Sequence, residues 1–535
     1  MLRVMNIRTG VPMKKTIEAL VAKKLRCSPA DIEHICVVRR SVDARRKPNI
    51  YLVFTVDVAF HDEEKIWRRC RDAKDVRRIA ETAYVPPQPG DVVLRHRPVV
   101  VGTGPSGLAA ALALARGGYK PIVFERGCDV DTRTAHVEEF WNGGTFRPES
   151  NVQFGEGGAG TFSDGKLTTR VNHPLLRHIL QTLVDAGAPP EILYAYNPHV
   201  GTDILRNVVK NMRHMIELAG GTVCFQSRVT SIRRDERGRI CAVTVNGEEE
   251  YEADVVVLGI GHSARDTYYM LYDEGVVLEK KPFAVGVRIE HDQQVIDRGQ
   301  YGCDAAELGL DPADYALVYH SPEGRSCYSF CMCPGGAVVA AASEEGRVVT
   351  NGMSLYRRDS GVANSALVVN VTTDDVGSGP LAGIEFQRRY EELAYKAGGS
   401  NYHAPAQTVG NFLKGSSPAE GAVHTYRPGV TWTDLHGVLP DFVTSTLEQA
   451  LPYFGRKIRG FDDDGVVMTG VETRTSAPVR IVRGEDRMAV DASGLYPVGE
   501  GAGYAGGIMS AFLDGLETAN EIIRKYQPLE VVVNG

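Results

Sequence analysis

Apolar residues along this chain change their spacing several times, and each change marks an expected element or boundary. In residues 1–90 the segments LRVMNIRT (2–9), IEHICVVRRSV (32–42) and NIYLVFTVDV (49–58) read as strands. Helical spacing runs from Lys14 to Lys24 and again from about Glu63 to Ala83, so this stretch predicts a βαββα-like α+β module. VPPQPGDV, with Pro86, Pro87 and Pro89, breaks the pattern and reads as a linker. Beyond it an apolar run at Val99 to Val101, a small-residue helix and a second strand ending at Glu125 predict a βαβ unit. Residues 224–261 alternate as a β-meander with an Asn246-Gly247 hairpin turn. Between about 279 and 464, strand-like runs (283–291, 337–343, 365–372) mix with helical ones (384–398, 444–451). Residues 494–523 then read as a strand, a glycine-rich turn and a long helix. The expected division is 1–90, 97–278, 279–464 and 465–527.

The βαβ unit carries Gly102-x-Gly104-x-x-Gly107 at the point where strand becomes helix. Gly102 permits the tight turn, Gly104 lets a pyrophosphate approach the backbone, and Gly107 lets the helix pack on the strand. Pro105 and Ser106 open a helix whose free N–H groups favour phosphate. Glu125, at the end of the second strand, is placed to accept hydrogen bonds from a ribose. Strand, glycines, helix, strand and acid agree on dinucleotide binding. Gly155-x-Gly157-x-x-Gly160 matches the same pattern, but no apolar strand leads into it.

The order of these elements resembles flavoproteins of the glutathione-reductase type, whose FAD domain is completed by a strand and helix from the far end of the chain. That resemblance implies FAD. It implies contacts from Arg126 and Arg133 after the first βαβ unit, Val229 beside the adenine, and Gly259 and Gly261 under the cofactor. It also implies Gly499, Glu500, Gly506, Gly507 and Ile508 beside the ribityl chain and flavin, with Glu500 where the type usually has Asp. A glycine turn at the distance of Gly158, Gly160 and Thr161 usually passes the isoalloxazine, where side chains would obstruct backbone N–H groups. Ser163, Asp164 and Lys166 follow it, and Lys166 is a candidate to stabilise reduced flavin at its N1/C2 edge.

Longer motifs extend the resemblance over nearly the whole chain: SVDARRK at 41–47, NVQFGEGGAGTFSDGKL at 151–167, GIGHSARDT at 259–267 and PFAVGVRIEH at 282–291. SFCMCPGG at 329–336, NGMS at 351–354, RTSAPVRI at 474–481 and GEGAGYAGGIMSA at 499–511 complete the set. Together they are similar to a bacterial family of uncharacterised FAD-dependent dehydrogenases, also called NAD(P)/FAD-dependent oxidoreductases. The expected fold class is α/β: a split Rossmann-like FAD-binding domain, an inserted mostly-β substrate or cap domain, and an N-terminal α+β module resembling ferredoxin-type folds. The family implies a fold and a cofactor, without a reaction.

Charge is unevenly placed. Residues 1–90 hold 19 Lys/Arg against 11 Asp/Glu, whereas the remainder holds 41 against 56, which makes the chain's net −7. The basic module is either a docking surface for a protein electron donor, an acidic partner or an anion, or a set of solvated faces that steady its contact with the acidic remainder. Aromatic residues suited to base stacking are sparse (Tyr51, Phe54, Trp67), which weighs against nucleic acid. MLRVMNIRTG lacks a signal-peptide pattern, and the most apolar run, Ala109 to Ala115, is too short for a membrane span. With ten cysteines and no secretion signal, free thiols in a cytoplasmic protein are expected.

Two motifs outside the nucleotide unit carry candidate chemistry. On an ideal strand Cys327, Cys331 and Cys333 would share one face, as a redox relay, a metal site or small apolar side chains of a buried strand. Cα atoms two residues apart on such a strand lie roughly 6.5–7 Å apart, at the limit for a disulfide. In GIGHSARDT, His262 is a candidate proton donor and Arg265 a candidate ligand for a pyrophosphate or substrate carboxylate, against helix capping by Ser263 and an Arg265–Asp266 surface pair. No metal is expected. No second strand–GxGxxG–helix unit occurs in 279–464, so any NAD(P)H is expected to bind transiently at the flavin face. The leading expectation is hydride transfer through flavin N5 to or from a small-molecule substrate, with Cys331, Cys333, His262 and Lys166 as catalytic candidates. The alternative is a structural or redox-sensing flavin acting through RNA or protein binding by the basic module.

Overall fold

Val99–Val101 is a run of three valines with no polar position to turn toward water, and it forms the centre of a parallel sheet. In the computed structural model, which describes residues 1–80, 83–416 and 421–529, that sheet has five strands. Their order is Leu495–Pro497, Val256–Leu258, Val99–Val101, Ile122–Phe124 and Thr222–Cys224, all parallel. The edge strand Leu495–Pro497 and the helix Ile508–Lys525 arrive from the far end of the chain. A three-stranded meander, Val229–Arg234, Ile240–Val245 and Glu249–Glu252, flanks the sheet. Its hairpin turns where Asn246 and Gly247 both take positive φ, 54° and 79°.

Returning chain and phosphate loop meet at Ser106. A Cβ on Gly515 of the C-terminal helix would lie 2.1 Å from the Ser106 carbonyl oxygen, and one on Gly499 would lie 2.4 Å from its hydroxyl. Gly107 is as tight: its Cβ would lie 1.9 Å from the carbonyl oxygen of Gly102, which itself has φ 93°. Backbone thus packs against backbone where any other residue would push the elements apart.

Residues 283–472 supply a seven-stranded sheet, ordered Val318–His320, Ser326–Cys333, Val362–Val371, Phe283–Asp292, Val467–Glu472, Ala404–Thr408 and Val430–Trp432. The strand Val467–Glu472 lies inside it, so the boundary expected at 464 falls ahead of the sheet's own strand. Strands leave and re-enter the five-stranded part through the pair Leu278–Lys280 and Val479–Ile481. One face is apolar: Val285, Val287, Ile289, Leu367, Val369 and Met468 pack with Leu447, Leu451 and Phe454 of the helix Asp441–Gly455. Period-2 alternation turns Arg288, Glu290, Asn364, Thr469 and Glu472 to the other face, still buried.

The N-terminal part corrects one expectation. The helix expected over about 63–83 covers only Glu63–Cys70; Val76–Arg78 is a strand paired with Leu2–Val4, and 81–82 lie outside the described residues. The order is therefore βαββαβ, with strands arranged Ile32–Arg46, Asn49–Phe60, Leu2–Gly10, Val76–Arg78. Some of its basic charge is spent inside the molecule. Arg40 donates its backbone N–H to Tyr194 O at 2.7 Å and pairs with Asp311 at 3.6 Å, Arg39 lies over the Tyr196 ring, and Lys47 donates to Gly299 O. The linker is also fastened: Gly90 N donates to Ile523 O at 2.9 Å, and Tyr84 donates to Asn520 Oδ1 at 2.7 Å.

Gly515→Ala places a methyl group 2.1 Å from the Ser106 carbonyl oxygen. It is expected to cost at least about 1–3 kcal/mol through overpacking, read by denaturant unfolding.

Candidate functional site

Four glycine-rich segments converge on one cleft: 102–107, 158–161, 259–261 and 499–507. A Cβ on Gly158 would sit 3.1 Å from Gly104 Cα, one on Gly160 3.2 Å from Ile508 Cγ1, and one on Gly501 2.6 Å from Gly261 O. A Cβ on Gly104, Gly261 or Gly507, by contrast, would meet no atom within 4 Å. Gly104 and Gly507 are the N-caps of the helices Pro105–Arg116 and Ile508–Lys525, and neither helix has a side-chain cap. Two uncapped N-termini, with their positive dipole ends and unpaired first-turn N–H groups, therefore face open space. Gly259 packs beneath Ser106, and Val229 is buried with Val101 and Phe124 under the strand ends.

Glu500 stands at the same end. Its Oε2 accepts from Gly507 N at 3.2 Å, while Oε1 is buried with no partner. Burial pushes its carboxyl up to about 7, against the opposing pull of Lys281. Gly506, next to it, borders the same turn. A cleft of bare glycine backbone over two helix ends, with one orphaned acceptor, fits the diphosphate and hydroxyl-bearing chain of FAD. Ser106 and Gly107 N–H groups would hold the diphosphate, and Glu500 a ribityl hydroxyl.

Several expected contacts are spent otherwise. Glu125 accepts from Thr103 N and Oγ1 at 3.0 and 2.6 Å, Gly127 N at 2.9 Å and Gly155 N at 3.0 Å. All its acceptor sites are thus filled by the protein, which corrects its reading as a ribose acceptor. Arg133 is completely buried and donates to the carbonyls of Asn151, Val152, Gly155 and Glu156, so it fastens the 151–156 loop and does not reach the cleft. Arg126 pairs with Glu149 at 2.7 Å and Asp266 at 2.8 Å. Thr161 is buried, its hydroxyl 3.4 Å from Glu156 O.

Ser263 does not cap the helix Arg265–Asp273, and Arg265 does not pair with Asp266. Both its Nη atoms meet Glu391, at 2.8 and 2.7 Å, and Arg474 reaches the same carboxylate at 3.0 and 3.1 Å. Thr473, Gln387, Glu344 and Ser343 complete the cluster. Burial alone would raise the Glu391 carboxyl, but the two guanidinium groups outweigh it and hold it ionised. His262 lies beside this cluster. Burial first, then Arg474 and Arg265, push its imidazole down to about 3, so it is neutral near pH 7 and is not a cationic acid. Its Nδ1 meets Ser263 Oγ at 2.9 Å, and that hydroxyl meets Gln153 Oε1 at 3.2 Å.

Lys166 donates to Met332 O, between the two cysteines of the Cys-x-Cys motif. Those cysteines break the expected alternation, because the pairing of Ser326–Cys333 with Val362–Val371 slips between Phe330 and Cys333. Cys327 consequently packs in the apolar face with Leu367 and Val369, whereas Cys333 lies opposite Asn364 on the polar face. Cys331, in the bulge, has φ 45° and is partly exposed; its carbonyl accepts from Arg288 at 2.9 Å. Asp164, noted only as a neighbour of the glycine turn, is buried and paired with Arg358 beside this bulge. The Glu391 and Arg358 partnerships carry no local spacing signal and were not legible from sequence. Among the described residues no group of three His, Cys, Asp or Glu is placed to hold a metal ion, and no helix is long and apolar enough to cross a membrane.

Fold and cleft together define a Rossmann-like, FAD-binding flavoprotein. Residues 100–153 match the NAD(P)-binding Rossmann-like domain, 282–475 the C-terminal-domain-like region of FAD-dependent proteins, and 1–59 a domain of unknown function. An uncharacterized protein of Clostridium beijerinckii is 49% identical over 516 residues, covering 95% of this chain and 96% of the relative. The chain belongs to the same family as that relative, and its residues 282–475 carry the C-terminal-domain-like region of FAD-dependent proteins. Solved structures similar to it include the flavin-dependent brominase Bmp2, at 10% identity and TM-score 0.38, covering 82% of this chain and 81% of that one. Another is the glycerol-3-phosphate dehydrogenase of Bacillus halodurans complexed with FAD, at 12% identity and TM-score 0.34, covering 80% and 64%. Likenesses this remote carry no reaction across.

Gly104→Ala is expected to leave stability near that of the parent, since its Cβ enters open space. It should weaken FAD binding about tenfold or more, roughly 1.4 kcal/mol, in a fluorescence titration. Glu500→Gln should stabilise the flavin-free protein. A carboxyl raised to about 7 in the fold opposes folding once it ionises, so the gain is largest above that pH and fades toward the ordinary carboxylate range, as thermal unfolding across pH would read.

Proposed function

We propose that this protein is an FAD-dependent oxidoreductase of the glutathione-reductase-like split-domain type, exchanging a hydride with a small-molecule substrate held between the 158–166 segment and the polar face of the seven-stranded sheet. The observation that carries this reading is the cleft over two uncapped helix N-termini, bordered by Gly104, Gly261 and Gly507. Bound FAD would supply two-electron chemistry at N5. The residues of this chain do the rest. First-turn N–H groups of Pro105–Arg116 neutralise diphosphate charge, and Glu500 takes a ribityl hydroxyl. Neutral His262, set by Ser263 and Gln153, orients through hydrogen bonds and leaves the cationic charge to Arg265 and Arg474. Lys166, tied to Met332 O, brings a positive charge to the inner end of the same segment. Electrons enter from transiently bound NAD(P)H or from a protein donor.

Anaerobic titration of the flavin-loaded protein with NADPH and then NADH tests this. Loss of the visible flavin band at about 1 s⁻¹ or faster identifies a nicotinamide-driven reductase. A band bleached by dithionite but by neither nucleotide transfers the donor role to a protein. A chain that takes up no FAD overturns the proposal.

A further inference from the structure

The bulge at Cys331 departs from the spacing that an ideal strand imposes on residues two apart. Cα atoms at that spacing sit about 6.5–7 Å apart on extended chain, near the upper limit for a disulfide. Here the ladder slips between Phe330 and Cys333, and Cys331 turns into the left-handed region at φ 45°. The chain curls so that the Cys333 thiol donates to the Cys331 carbonyl oxygen at 3.3 Å. Non-glycine residues hold that conformation at a cost, and such residues concentrate at functional positions.

The two sulfurs differ in the way an attacking and a resolving thiol differ. Cys331 is partly exposed and Cys333 is buried. Lys166 donates to the carbonyl of Met332, and the Arg288 guanidinium donates to that of Cys331 at 2.9 Å. The neighbouring Cys333 thiol lowers the Cys331 thiol, with Arg288 and Lys166 adding to the effect, while Cys331 raises Cys333. A thiol so placed is the nucleophile of the pair.

We propose that Cys331 and Cys333 are a reversible dithiol–disulfide couple that reduces low-molecular-weight disulfides. Cys331 sulfur attacks one sulfur of the substrate; a Cys331–substrate disulfide forms, the substrate S–S bond breaks, and one substrate thiol leaves with the proton that Cys331 gave up. Cys333 then loses its proton and attacks Cys331 Sγ, and the second substrate thiol leaves with that proton. One disulfide becomes two thiols, and the pair becomes a disulfide. The two electrons and two protons that restore it come from reduced flavin, so this return step rests on the oxidoreductase reading above. Cys331 lies on the strand that touches the 163–166 segment through Lys166, and that segment continues the glycine turn bordering the cleft.

The test uses the full-length protein in glutathione disulfide, with mass-spectrometric mapping of all ten cysteines. Expected is the loss of two hydrogens in one peptide, cross-linking Cys331 to Cys333. Cys333→Ser should instead accumulate glutathione on Cys331, Cys331→Ser should acquire neither, and Cys327→Ser should behave as the parent. Anaerobic reduction of the flavin in the oxidised holoprotein should then return two alkylatable thiols. Absence of the cross-link in the folded parent, or a glutathione adduct that persists on Cys331 with Cys333 present, overturns the proposal. A cross-link that survives flavin reduction also overturns it. Because the first mapping needs no flavin, its failure is distinct from a failure to bind FAD.

Discussion

Close approach of backbone to backbone at Ser106 is the constraint on which the rest of the molecule depends. Three separate parts of the chain press on this residue: Gly259 after a central strand, Gly499 after the last strand, and Gly515 in the C-terminal helix. None tolerates a Cβ without displacement, because the opposing atoms are Ser106's own backbone or its short side chain. The distant end of the chain is thereby brought onto the phosphate loop. The two helix N-termini that make the cleft attractive to an anion exist as a pair only because of that contact.

A buried charge cluster joins the two sheets. Arg265 begins the helix after the strand Val256–Leu258, Glu391 lies in the helix Ala382–Ala397, and Arg474 follows the strand Val467–Glu472. Removing one member of a buried pair leaves uncompensated charge and typically costs about 3–5 kcal/mol, whereas apolar replacement of the whole set can be neutral. Stability alone therefore gives weak reason for this cluster. Its consequence is positional, since it fixes the seven-stranded sheet against the nucleotide-binding part, and its two arginines add to the burial that keeps His262 neutral.

The seven-stranded sheet separates two tasks by its faces. One is a conventional core with Val287, Ile289 and Leu367. The other buries Arg288 with Glu472, bonded at 2.9 Å from both Nε and Nη2, and presents Glu290, Asn364 and the Cys331–Cys333 bulge. Polar groups inside a sheet domain are costly unless partnered. Arg288 partners Glu472 and Asn364 here, whereas Glu290 Oε2, Asn364 Nδ2 and Thr469 Oγ1 are buried without a partner.

Much of this was legible along the chain. Gly102, Gly104 and Gly107 announced the phosphate loop because their spacing answers a local need, a tight turn followed by close packing. The valine run, the Asn246-Gly247 turn and the returning strand–glycine–helix segment are local in the same sense. Partnerships between distant residues were decided by the tertiary structure. Glu125 has the position of a ribose ligand, yet Thr103, Gly127 and Gly155 fill its oxygens; Arg133 is consumed by four carbonyls; Arg265 finds Glu391. A one-residue slip in a ladder moved Cys331 off its expected face and next to Cys333. Periodicity reports which way a side chain points on an ideal element, and motif spacing reports what one turn needs. Neither records which distant atoms reach a buried charge first, and that competition set the chemistry available around the cleft.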